Sequence, residues 1–165
     1  LFLKFVKMKW FSKIVVLTAI TSVILSSCTK TSCNEDVPTI EFYKFEQFDD
    51  KTAKLIVTFK DCNGDIGLNQ ADSIEPFQYN FFMVYFEKQN GAWVNIKPLI
   101  PYYYRIPILY DGSNESIEGD IEISLASYYN PYSNYDTIKF QIHIMDRALN
   151  ESNLVETSEI ITPAN

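Results

Sequence analysis

From residue 38 onward, apolar side chains recur at every second position, the period of strands that bury one face. Residues 54–59 place Leu55, Val57 and Phe59 on one side. Residues 117–125 set Ile117, Ile121, Ile123 and Leu125 against Glu118, Asp120 and Glu122 on the opposite face. The alternation is sharpest in 137–145, where Ile138, Phe140, Ile142 and Ile144 point inward and Lys139, Gln141 and His143 outward. Residues 79–86 are apolar on both faces, as suits a central strand. Turn-forming residues separate these runs. Asn90-Gly91 is a hairpin signal, and Asp111 to Asn114, Asn130-Pro131 and Asn150 to Asn153 are further breaks. The pattern predicts strands at 39–47, 53–60, 79–87, 92–97, 103–109, 117–125, 136–146 and 154–162. No segment carries a helical stripe, and Pro98, Pro101 and Pro107 put the middle of the chain at a sheet edge. Seven or eight short antiparallel strands in one domain, 38–165, predict an all-β sandwich of the immunoglobulin or fibronectin type. A small closed barrel is the alternative.

The first 28 residues have a different pattern. Lys4, Lys7, Lys9 and Lys13 precede an apolar run of 12 residues, 14–25. As a helix that run would be about 18 Å long, too short to cross a hydrocarbon core of about 30 Å. It ends in Leu25-Ser26-Ser27-Cys28, so residues 1–27 are expected to be a signal segment cleaved before Cys28, with chain entry at Met8. The sequence around Cys28 resembles a bacterial lipobox, which implies diacylglyceryl transfer to the Cys28 thiol and a membrane anchor. A plain secretory signal with an incidental cysteine is the competing explanation. Residues 28–37 are polar and predict a tether. Thr29 after the cysteine, where inner-membrane lipoproteins of this kind keep Asp, favours the outer membrane, facing either the periplasm or the cell surface.

Composition narrows the function. Four lysines precede Cys28 and no acid does, so of 14 basic and 21 acidic side chains the mature part keeps 10 and 21, a net of −11. That balance excludes a nucleic-acid footprint. Five glycines argue against a Gly-rich phosphate loop, and one His with three Cys excludes the common zinc sets. Glu118, Asp120 and Glu122 share a solvated face, and His143 is expected on a polar one. The chain is not expected to be an enzyme.

The acidic stretch after the second predicted strand is the main candidate for chemistry. Counting Asp61 as position 1, side-chain oxygens fall at 1, 3, 5, 9 and 12: Asp61, Asn63, Asp65, Asn69 and Asp72. Hard cations such as Ca²⁺ take six to eight oxygens, and alternating carboxylates on a tight turn supply several. Ile66 stands at position 6, where an EF-hand loop requires Gly, so this is no EF-hand. A calcium loop between strands and a set of Asx turns are the two alternatives. In a sandwich the loop before the last strand lies at the same end, which would bring Asp146, with Asn150 as a further candidate, to Asp61 and Asp65.

Residues 59–68, Phe-Lys-Asp-Cys-Asn-Gly-Asp-Ile-Gly-Leu, resemble the F-x-D-G-D-G-D-I-G-L segment of small lipoproteins of the Bacteroidota, and 140–153 resemble their closing strand and loop. The resemblance implies an Ig-like domain without a transferable enzyme activity. Cys62 replaces the usual Gly, and Asn63 stands where Asp is commoner.

Cys33 and Cys62 are left once Cys28 is lipidated, and the exported location permits a disulfide between them. Two free thiols are the alternative. Tyr102, Tyr103 and Tyr104, with Tyr128 and Tyr129, form candidate binding positions, since tyrosine rings serve as sugar platforms or protein anchors. Burial against the core, or for Tyr132 or Tyr135 a tyrosine corner, competes with that role. The expected function is a lipid-anchored, non-catalytic binding or accessory module with Ca²⁺ as candidate cofactor. A structural subunit of an envelope complex and a glycan-binding surface lipoprotein are the alternatives.

Overall fold

The computed structural model of the chain describes residues 36–49, 51–109 and 115–163. The predicted signal segment, most of the tether, Cys28 and Cys33 lie outside these. Among the described residues nine strands form: β1 (Thr39–Gln47), β2 (Ala53–Asp61), β3 (Phe81–Gln89), β4 (Ala92–Asn95), β5 (Tyr102–Tyr104), β6 (Ile117–Leu125), β7 (Thr137–Ile144), β8 (Val155–Glu156) and β9 (Ile160–Ile161). All pair antiparallel. One sheet has the order β1-β2-β6, the other β4-β3-β7-β8, with β5 on β3 and β9 on β7. Because β7 occupies one side of β3 from Phe81 to Glu87, β4 and β5 share its other side. The short strands β8 and β9 likewise share the outer side of β7.

The two sheets pack as a sandwich, and the all-β expectation holds. Strand alternation supplies the core: Leu55, Val57 and Phe59 from β2, Ile121 and Leu125 from β6, Phe81 and Met83 from β3, and Ile138, Phe140, Ile142 and Ile144 from β7. The expected hairpin forms at Asn90 and Gly91, whose φ of 52° and 84° suit a type I′ turn.

Two predicted strands differ for local reasons. The 103–109 strand stops at Tyr104 because the acidic loop takes the next residues. Ile106 N–H donates to Asn80 Oδ1 at 2.7 Å, and Ile106 C=O accepts from Leu68 N–H at 2.9 Å. The 154–162 strand splits into β8 and β9 around Thr157, whose hydroxyl accepts from Phe140 N–H at 3.1 Å where a strand carbonyl would otherwise stand. His143 is half-buried rather than exposed. It stacks on Phe82 with ring centroids 4.9 Å apart, and burial holds the imidazole pKa below its usual value. The outer face of this sheet is itself aromatic, with Tyr103 edge-on to Phe82 at 5.1 Å.

The register defines two ends. Asp61 pairs with Ile117 while Ala53 pairs with Leu125, and β1 begins opposite Lys60. The start of β1, the end of β2 and the start of β6 therefore lie at one end, and the loop after β6 lies at the other. One flank is closed by Asn153, which donates to Ile40 C=O and accepts from Ile40 N–H, each at 2.9 Å.

Candidate functional site

Asp61 is the last residue of β2, and Asp146 stands two residues past the end of β7. The sandwich thus brings a carboxylate from each sheet to the same end. The loop after β2 docks on the loop after β7: Arg147 N–H donates to Asp65 C=O at 3.3 Å, and Arg147 Nη1 to Gly67 C=O at 3.0 Å. Glycine is required at two positions. Gly64 and Gly67 have φ of +68° and +105°. A Cβ on Gly64 would strike the Glu115 carbonyl oxygen, and one on Gly67 would lie 2.5 Å from that of Pro107.

Asp61 and Asp146 are both 0% exposed. Asp61 Oδ2 accepts from Ile66 N–H at 2.7 Å. Its other oxygen, Oδ1, is shielded from solvent and has no hydrogen-bond donor, and the same holds for Asn63 Oδ1 and Asp65 Oδ1. The Asp65 carboxyl pKa is raised, first by burial and then by the charges of Asp146 and Asp61, with Arg147 opposing. Asp65 therefore lies within reach of the charges of both Asp61 and Asp146. Asn150 orients Asp146, its N–H donating to Oδ1 and its Nδ2 to Oδ2, both at 2.8 Å. Among the described residues no three His, Cys, Asp or Glu side chains form a metal cluster by themselves. The orphaned oxygens at this end include an amide, that of Asn63.

Asn69 and Asp72 belong to a different cluster. Asp72 Oδ2 accepts from Asn69 N–H at 2.9 Å, closing an Asx turn. Arg105 then gathers the carbonyls of Asn69, Asp72, Phe77 and Gln78. The structure thus brings Asp65 near Asp61 and Asp146, with the orphaned Asn63 oxygen on the same short stretch, and gives the two later EF-hand-like positions other partners. Sequence reasoning missed Arg105, whose partners are 27 to 36 residues away. Cys62, beside Asp61, is disulfide-bonded.

The tyrosines separate as well. Tyr128 is 0% exposed and accepts from Gln47 Nε2 at 2.9 Å, so it is a core residue and not a surface platform. Tyr129 is buried beside it, with ring centroids 5.0 Å apart. Tyr102 packs edge-on to Phe140 at 5.3 Å, and burial pushes its phenol pKa up to about 12. Tyr132 is 92% exposed and forms no tyrosine corner. What remains is a cleft of about 810 Å³ between the loop 96–101 and the loop 126–131, reached by Tyr85, Tyr102, Tyr104 and Tyr129. Its rim carries Leu99, 100% exposed, and Ile100, 79% exposed, between Pro98 and Pro101. Comparison with family models, curated proteins and solved structures finds no match to this chain.

Proposed function

We propose that this chain is a lipid-anchored, non-catalytic interaction module of a bacterial outer membrane that holds a protein partner in the cleft beside β5. The observation that carries this is the Leu99–Ile100 tip. Each side chain meets water at a cost of about 25 cal/mol per Å² of apolar area, which a covering partner would recover. An aliphatic rim framed by prolines suits a protein surface better than a glycan. Sugars favour open aromatic faces, and Tyr128 and Tyr129 are turned into the core. The strand order β1-β2-β6 against β4-β3-β7-β8 supports a sandwich of the immunoglobulin or fibronectin type. The leader motif ending in Cys28 supports the anchor. With Cys28 acylated, Cys33 is the partner proposed for Cys62, and β1 starting beside Lys60 supports a tether that joins the domain near that cysteine.

The test uses intact cells producing the full chain. Cross-linking and pull-down should recover a stoichiometric protein partner, and Leu99→Asp with Ile100→Asp should lose it without lowering the melting temperature. Cys28→Ala should release the protein from the membrane fraction. Binding on a glycan array with no protein partner would overturn the cleft assignment, and a membrane-bound Cys28→Ala protein would overturn the anchor.

A further inference from the structure

We infer that Asp61, Asn63, Asp65 and Asp146 form a calcium site that ties the two sheets together at one end of the sandwich. The inference rests on none of the anchor or cleft reading. Its first support is the set of orphaned oxygens. Asp61 is wholly buried, yet its Oδ1 has neither donor nor solvent, and Asn63 and Asp65 each hold another such oxygen. A buried acceptor left unpaired costs about 1–3 kcal/mol, more when it is charged. Three in one five-residue stretch therefore call for a common partner.

The second support is placement. Asp146, wholly buried like Asp61, comes to the same end of the sandwich from the other sheet, while Arg147 Nη1 donates to the Gly67 carbonyl. Asp146 is held in place by two hydrogen bonds from Asn150, and each of its oxygens keeps a lone pair for a further contact. An arrangement that positions a buried carboxylate while leaving it able to accept more is what a ligand to an ion needs.

Donor chemistry selects the ion. The side chains assembled here are carboxylates and an amide oxygen, with no imidazole among them, which favours a hard cation over zinc or copper. Three orphaned oxygens and the Asp146 carboxylate supply part of the six to eight contacts Ca²⁺ takes. Backbone carbonyls and water complete the shell. Mg²⁺ keeps most of its own water and demands near-octahedral geometry, a poorer match to a protein-rich site on a loop. Gly64 and Gly67 give the loop the tight path this requires.

The test takes the full chain, purified in detergent and stripped with EDTA, and titrates it with Ca²⁺ or Mg²⁺ while following thermal unfolding, calorimetric binding and native mass. The expected result is one bound calcium and a melting temperature that rises with Ca²⁺ concentration, with no comparable rise in Mg²⁺. Asp65→Asn keeps an oxygen but removes a charge, and should fold yet bind calcium about tenfold more weakly. Asp72→Asn, in the neighbouring turn, should bind as the parent does. Equal melting of the parent protein in EDTA and calcium with no bound ion, or a titration in which Asp65→Asn binds as tightly as the parent, would overturn the site. Loss of binding in Asp72→Asn equal to that in Asp65→Asn would overturn the ligand set.

Discussion

Arg105 follows three tyrosines in a strand that ends one residue before it, and its guanidinium holds a loop that has no ladder of its own. Nη1 donates to the carbonyls of Asp72, Phe77 and Gln78, and Nη2 to that of Asn69 at 2.7 Å. Hydrogen bonds to a charged group contribute about 1.5–3 kcal/mol each in favourable cases, though bonds sharing one donor group do not add. Arg105→Ala should therefore lower stability by about 2–4 kcal/mol in denaturant unfolding, with hydrogen exchange quickened first in residues 69–78. Arg105→Lys should recover little, because a point charge cannot replace a planar fork of donors. Nothing in the sequence announces this role, since the loop has no periodicity and the contacts are set only once the chain has turned back. Asp61, Asn63 and Asp65 were legible as a unit because their spacing alone places them on one tight turn. Asn69 and Asp72 looked equivalent in sequence. Without flanking helices, however, nothing bends them back to the first three, and Arg105 takes their carbonyls.

At the scale of elements, period-two patterning was decisive wherever one face met the core. The predicted bounds of 39–47 and 117–125 are those of β1 and β6. In β1 the alternation slips, because a register shift between Phe42 and Lys44 lets Phe42 and Phe45, three apart, both pack on the core. Pattern cannot see a side chain that substitutes for backbone, which is why Thr157 breaks the last predicted strand unannounced. Asn153 does similar work between sheets. Its amide joins the exposed flank of β1 to the loop before β8, pairing both backbone groups of Ile40. Replacing Asn153 with Ala leaves that N–H and C=O without their partner and should cost about 1–3 kcal/mol. Exchange at Ile40 and its neighbours in β1 should rise well before exchange in β2. Equal protection of both strands in the variant would show that β1 is held by its ladder to β2 alone.

Across the described domain, the Cys62 end and the cleft are separated by the length of β2. Nine residues at about 3.4 Å each span roughly 30 Å. The disulfide at Cys62 sits at the end where β1 begins. With Cys33 as its proposed partner, the closed loop is about 29 residues, and its loss should destabilise the domain by about 3–4 kcal/mol. Cys33→Ser and Cys62→Ser should show the same loss in unfolding experiments, and peptide mapping without reductant should recover a 33–62 link. A 28–62 link would reverse the assignment and leave no thiol for lipid.

With the proposed anchor and pairing, that bridge would also decide how the domain carries load. Tension between the membrane and a partner in the cleft would reach the domain through the sulfur–sulfur bond at Cys62, not through the first residues of β1. An edge strand pulled from its free end comes away one bond at a time, whereas with the proposed 33–62 pairing β1 and β2 would lie inside the covalent loop as slack. Drag on the captured partner would pass from Cys62 through the acidic loop into β3, so the strand most exposed to peeling would bear none of it.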